Sequence, residues 1–265
     1  MSLSTARVLA AAAAFRWVPD DSLRRLTNDE FDAIEFPHGY KSPMMVHLDS
    51  PHRPPDELVA CVYDVMNQWG LTEVGWWLTP QTPPEYVSAI RALAGQVTER
   101  VIVLAYDLGT PLPAWGFPPE LTVELVHDQR TLRAAEVVAA EVWGGALPQE
   151  SELDERLVAT RTDLDSFRVV AFLDAEPAAT GRCTVTGADA RLWGACTRED
   201  RRGRGAYRAV LLERLRGTRD RGASMAWCTG RSTSSAPILV RAGFQDFGTH
   251  ECYRSVAVGL RPEPT

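Results

Sequence analysis

The sequence predicts a mixed α/β (α+β) fold laid out in two halves. Three observations predict it. Short apolar runs of strand length alternate with amphipathic stretches of helical period. One such alternation, Leu192 to Leu215, carries a glycine-rich turn between strand and helix. The order strand, turn, helix, glycine, strand occurs once in each half.

In the first half, Leu3 to Phe15 reads as a helix. Short strands are expected around Asp32 to Phe36 and Met44 to Leu48. Ser50 to Asp56 is a proline-containing loop that ends on a residue able to cap a helix. A helix follows from about Glu57 to Trp69, with Leu58, Cys61, Val62 and Val65 on its inner face and Gly70 as its stop. Glu73 to Thr79 is a strand and Pro80 to Pro84 a turn. Pro84 suits the first turn of a helix. Tyr86, Ala89, Ile90 and Leu93 give that helix one apolar face, and Gly95 ends it. Arg100 to Asp107 is an apolar strand. Leu108 to Glu120, rich in Pro and Gly, reads as an interdomain linker.

The second half restarts with a strand, Leu121 to Val126, and a helix at about Gln129 to Trp143. A second helix is expected over Glu152 to Thr160. Strands follow at Arg168 to Leu173, Gly181 to Thr186 and Arg191 to Thr197, the first two joined by a turn at Asp174 to Pro177. The glycine loop and its helix come next. Ala223 to Thr229 is a strand, Ser234 to Ala242 a helix and Gly248 to Val258 the last strand.

The glycine loop carries the clearest chemistry. Tyr207, Val210, Leu211 and Leu215 share one helical face, so a helix begins inside Arg202-Gly203-Arg204-Gly205-Ala206-Tyr207. Glycines there let the backbone approach a bulky anion. The first N–H groups of the helix lack intrahelical partners and its dipole is positive at that end. Such a place suits a pyrophosphate. From Arg201 to Arg221 there are eight Arg against Glu213 and Asp220, a local charge of +6 in a chain of net charge −7. A positive patch on an acidic protein points to a phosphorylated small ligand rather than a polynucleotide.

This run resembles the pyrophosphate loop of the GNAT N-acetyltransferase superfamily. Arg202 opens the pattern and Gly203, Arg204, Gly205 and Ala206 continue it, while Tyr207 stands where a small residue is usual. A second family pattern ends in Gly-Phe, found here as Gly243-Phe244. Its Asn is replaced by Ser232, Ser235 and Ile238 fill its small and apolar positions, and its Tyr is Leu239. The resemblance implies a GNAT acyl-CoA N-acyltransferase fold over residues 120–265. It also implies acetyl-CoA as cofactor, in a splay between the Leu192 and Ala223 strands. The backbone of Ala195, Cys196 and Thr197 would meet the pantetheine arm, and residues 202 to 207 with Arg208 the pyrophosphate.

The repeat extends this. Trp76-Trp77-Leu78-Thr79, turn, helix and Gly95 parallel Ala226-Trp227-Cys228-Thr229, turn, helix and Gly243. Residues 1–119 are therefore expected to form a degenerate, truncated GNAT-like domain, in a tandem arrangement similar to mycothiol synthase. Its counterpart of the glycine loop is Arg53-Pro54-Pro55-Asp56. Prolines lack N–H groups and an acid at a helix start repels an anion, so this half is not expected to bind cofactor.

The expected activity is acetyl transfer to the amine of a small molecule, or acyl-CoA binding without turnover. Leu239 cannot donate the proton that the usual tyrosine would. Glu141, beside Trp143, and His250 are candidate bases, and Tyr253 a candidate acid. Five cysteines without a C-x-x-C read as core residues of a reducing, cytoplasmic setting. No metal spacing, targeting segment or membrane span is legible, and no nucleic-acid partner is expected.

Overall fold

A computed structural model describes residues 3–16, 18, 22–37, 42–93 and 96–256. The first half holds α1 (Thr5–Ala14), β1 (Arg25–Thr27), β2 (Phe31–Glu35), β3 (Met44–Leu48), α2 (Pro55–Gln68), β4 (Glu73–Leu78), α3 (Pro84–Leu93) and β5 (Gln96–Asp107). The second holds β6 (Leu121–Leu125), α4 (Gln129–Trp143), α5 (Glu150–Thr162), β7 (Ser166–Leu173), β8 (Glu176–Thr186) and β9 (Asp189–Thr197). It continues with α6 (Ala206–Asp220), β10 (Met225–Arg231), α7 (Ser235–Arg241) and β11 (Gln245–Val256).

Two compact units result. Unit one comprises Met1–Val8, Leu104–Thr229 and Ile238–Gln245; unit two comprises Leu9–Val103, Gly230–Pro237 and Asp246–Thr265. Strand order within unit two is β1-β2-β3-β4-β11-β5, and within unit one β5-β10-β9-β8-β7-β6, the division cutting β5 after Val103. The last strand of the chain, β11, runs antiparallel to β4, with Cys252 opposite Trp77 and Tyr253 opposite Trp76. The sequence boundary at 119–120 separates β5 from β6, whereas each compact unit draws on both sides of it.

The repeated order is visible in the ladders. β3 and β4 are parallel through Met45–Gly75, Val46–Trp76 and His47–Trp77. β9 and β10 are parallel through Asp189–Met225, Ala190–Ala226 and Arg191–Trp227. Each pair is bridged by one helix, α2 or α6.

In unit two, α2 and α3 lay Leu58, Val62, Met66, Tyr86 and Ile90 on Val46, Val74, Trp76 and Tyr253. The indole of Trp76 donates to Ser255 Oγ at 2.8 Å, so its polar edge is satisfied inside the core. In unit one the two sheet faces are told apart by neighbouring residues. Thr180 Oγ1 accepts from Arg168, which also donates to Glu136 and to the Ala135 carbonyl of α4. Gly181 faces α6 instead, where an added Cβ would lie 3.0 Å from Arg214. Gly217 of α6 likewise makes room for the Phe167 ring.

Several bounds differ from the sequence reading for local reasons. β1 was not expected, being three residues long; it is held by Arg25, which donates twice to the buried Asp32 carboxylate at 2.8 Å. α2 starts at Pro55, with Pro54 at its cap position and no side-chain cap, so Asp56 lies inside the first turn. Cys61 is only half-buried and Val59 takes the inner face. β5, β8 and β11 each extend beyond their apolar runs, because backbone pairing continues through polar residues. The segment 108–120 has no helix or strand but is not a loose linker. Leu108 is buried and bonds Ser224, and Pro111 accepts from Tyr106. The expected stop at Gly95 and the strand end at Val258 lie outside the described residues.

Candidate cofactor site and its surroundings

The β9–β10 ladder stops at Arg191–Trp227. Leu192 to Thr197 and Cys228 to Arg231 continue as strand without pairing to each other, so the two strands splay. A β-bulge accompanies the splay. On the other edge of β9, Thr180 faces Cys196 and Arg182 faces Trp193, which leaves Gly181 opposite both Gly194 and Ala195. Gly194 sits at φ +56, a conformation that glycine takes without strain. The bulge disrupts regular pairing of Ala195 with β8.

The glycine loop follows β9 directly. A single 3₁₀ turn, Glu199–Arg201, leads into Arg202. Gly205 (φ +91) is the N-cap of α6, no side chain caps the helix, and its first turn contains no acid. The N–H groups of Ala206, Tyr207 and Arg208 therefore lack intrahelical acceptors. A Cβ at Gly203 (φ +76) would meet nothing within 4 Å, so the space in front of the loop is open. Arg202 and Arg208 are exposed, and Arg204 is half-exposed beside Asp174 at 3.1 Å. Thr197 Oγ1, at the end of β9, is buried without a hydrogen-bond partner.

The corresponding place before α2 is filled by the chain itself. Glu30 is fully buried and accepts the N–H groups of His52 and Arg53 at 3.1 and 3.0 Å, while Arg53 Nε lies 2.6 Å from its other oxygen. Burial would raise its pKa, but those two N–H groups, with the Arg53 guanidinium and the nearby His52 ring, hold it below the ordinary range. A carboxylate of the chain thus takes up loop N–H groups just before α2, and Asp56 and Glu57 follow in the first turn of that helix.

No family model and no curated protein sequence matches the chain. Solved structures do. A GCN5-related N-acetyltransferase from Kribbella flavida aligns at TM-score 0.67 and 16% identity, over 98% of both chains. One from Sphaerobacter thermophilus aligns at 0.65 and 17%, over 89% of this chain and 80% of that one. A tandem GNAT protein from the clavulanic acid biosynthesis pathway aligns at 0.63 and 13%, over 95% and 88%. The chain has the tandem GNAT fold.

Within that GNAT fold, the residues expected from the sequence fall into two groups. Ala195, Cys196, Thr197, Arg202, Gly203, Arg204, Gly205, Ala206, Tyr207, Arg208 and Glu141 all belong to unit one; His250 and Tyr253 belong to unit two. Glu141 is half-exposed and pairs with Arg198 Nε at 2.8 Å. Tyr253 is buried, donates to Glu251 at 2.8 Å and accepts from Arg91 Nε at 2.8 Å. Burial and the Glu251 bond raise its pKa. His250 is buried with its ring edge-on to Trp77, and the His47 ring also meets that indole, with centroids 6.3 Å apart. Burial, and behind it the Arg16 charge, press His250 down to about 4. Leu239 of α7 is buried.

Two residues at the site escaped the sequence reading, and a third, Trp143, was named there only as the neighbour of Glu141. Gly194 and Gly181 shape the bulge; a glycine inside a strand pattern was the available signal. Trp143 is 57% exposed, and its ring comes within 3.9 Å of where a Cβ on Gly194 would be. Only the fold brings the end of α4 to that place. Among the described residues no helix is long and apolar enough to cross a membrane.

Proposed function

We propose that the chain is an acetyl-CoA-dependent N-acetyltransferase that acts on the amine of a small molecule and holds one cofactor in its second half. The observation that carries this reading is the continuous run of splayed β9, open glycine loop and uncapped α6 N-terminus. The fit is chemical as well as spatial. Free N–H groups at a positive helix end suit the pyrophosphate, and the unpartnered Thr197 hydroxyl suits a polar arm lying in the splay. When bound, the cofactor supplies an acetyl group activated as a thioester. The loop and α6 hold its phosphates, the opened edge of β9 at Ala195, Cys196 and Thr197 aligns its arm, and Trp143 walls the approach to the bulge.

Amine-dependent release of thiol from acetyl-CoA tests the reading, with a panel of small amines and the full chain. Release with at least one amine is expected. Acetyl-CoA binding without release for any amine would favour the second reading, an acyl-CoA-binding protein without turnover. The buried leucine at position 239 is the observation that favours it.

A further inference from the structure

Arg214 of α6 is 2% exposed, and its Nε has no hydrogen-bond partner. A guanidinium withdrawn from water costs several kcal/mol unless it is paired and bonded. The other buried arginine of unit one, Arg168, is fully served by Glu136, Thr180 and the Ala135 carbonyl. Arg214 has no carboxylate. Its Cζ and Nε lie against Gly181, at 3.0 Å from where a Cβ would be, and Gly181 is the residue opposite the Gly194–Ala195 bulge. The charge therefore sits beside the point where β9 leaves regular pairing. The guanidinium is hydrogen-bonded to the phenol of Tyr207 on α6, and around it lie the thiols of Cys183 on β8, Cys196 on β9 and Cys228 on β10. Farther charges acting on those thiols are Arg221, Arg191, Arg168 and Glu136. Cys196 and Cys228 stand on the two unpaired edges of the splay.

We propose that Arg214 is the positioning cation for the sulfur end of the cofactor, meeting the negative charge that the missing tyrosine at position 239 would otherwise neutralise with a proton. The inference rests on the acetyl-CoA reading above. Burial drives the neighbouring thiols up to about 12, and the Arg214 charge works against burial at each of them. The same opposition at a cofactor sulfur favours its thiolate over its thiol. In acetyl transfer the amine nitrogen bonds the thioester carbon, the C–S bond breaks and its electron pair stays on sulfur. The amine proton passes to solvent.

The test is calorimetric binding of coenzyme A and of desulfo-coenzyme A to the full chain, from pH 7 to pH 9. The wild type should come to prefer coenzyme A as pH rises, by about tenfold or more, the size of a charge-assisted hydrogen bond. Arg214→Met should bind both alike at every pH, and Arg214→Lys should keep part of the preference. Ligand-free Arg214→Met should melt no lower than wild type, since it removes a buried charge that has no carboxylate partner. Equal pH dependence for the two ligands in wild type, or a preference that survives Arg214→Met, overturns the proposal. No binding of either ligand overturns the cofactor reading and this inference with it.

Discussion

Trp227 stands opposite Arg191 in the β9–β10 ladder, and that is the ladder's last pair. Their side chains touch as well, the guanidinium lying 5.8 Å from the indole centroid. Beyond them the strands part, and everything proposed for the cofactor depends on that parting. Three residues on, Gly194 lies at the bulge between β9 and β8.

A branched side chain at the bulge should close the splay. Gly194→Val forces a β-branched residue to φ +56, a strain of about 1–3 kcal/mol. If the residue instead relaxes to an extended conformation, the bulge is lost. Acetyl-CoA affinity should fall by about tenfold or more in either case. Calorimetry on the full chain measures it; unchanged affinity would mean that the bulge does not shape the site.

The buried ion pair of unit one should be costly to break from one side. Glu136→Ala leaves Arg168 withdrawn from water with its charge unmatched, a loss of about 3–5 kcal/mol. Replacing both residues with Met and Leu should recover most of that loss. Urea unfolding of the three proteins gives the comparison. A loss below about 1 kcal/mol in Glu136→Ala would place the pair among ordinary surface contacts.

Acid should destabilise the fold early. Burial first, and then the Arg16 charge, press His47 to about 3 and His250 to about 4. The unfolded chain takes up these protons near pH 6.5, whereas the folded chain resists them until pH falls to about 4. Their contribution is complete above pH 6.5 and is lost as pH falls through that window, at up to about 1.4 kcal/mol per pH unit for each histidine. Unfolding midpoints between pH 7.5 and pH 5 should show the slope, and His47→Asn with His250→Asn should flatten it. An equal slope in the double variant would assign the acid sensitivity elsewhere.

The sequence made the helices and most strands legible wherever apolar period or proline and glycine punctuation marked them, as for α4 and α6. The turn into α6 was legible because Gly203 and Gly205, both at positive φ, mark it in the chain. The repeat was legible for a similar reason, since Trp77 and Trp227 start the same turn and helix. What lay hidden depended on partners distant in sequence. Nothing near Glu30 announces that it receives the N–H groups of His52 and Arg53. Arg214 reads as one more basic residue on a charged helix until Gly181 is seen beneath it. That β11 pairs with β4 is likewise a matter of topology, which strand pattern alone does not express.

The most direct test of the cofactor site is a calorimetric titration of the full chain with acetyl-CoA, for wild type and Gly205→Asp. A Cβ at Gly205 meets Leu121 and Phe117 only at 3.7 Å, so there is room for the side chain; φ +91 strains it by about 1–3 kcal/mol, and it places a carboxylate where the phosphates would sit. Wild type should bind one acetyl-CoA per chain, because Glu30 takes up loop N–H groups just before α2 in the first half. Gly205→Asp, with unchanged circular dichroism, should bind at least about a hundredfold more weakly. Unchanged affinity in Gly205→Asp, or two acetyl-CoA molecules per wild-type chain, would contradict the account.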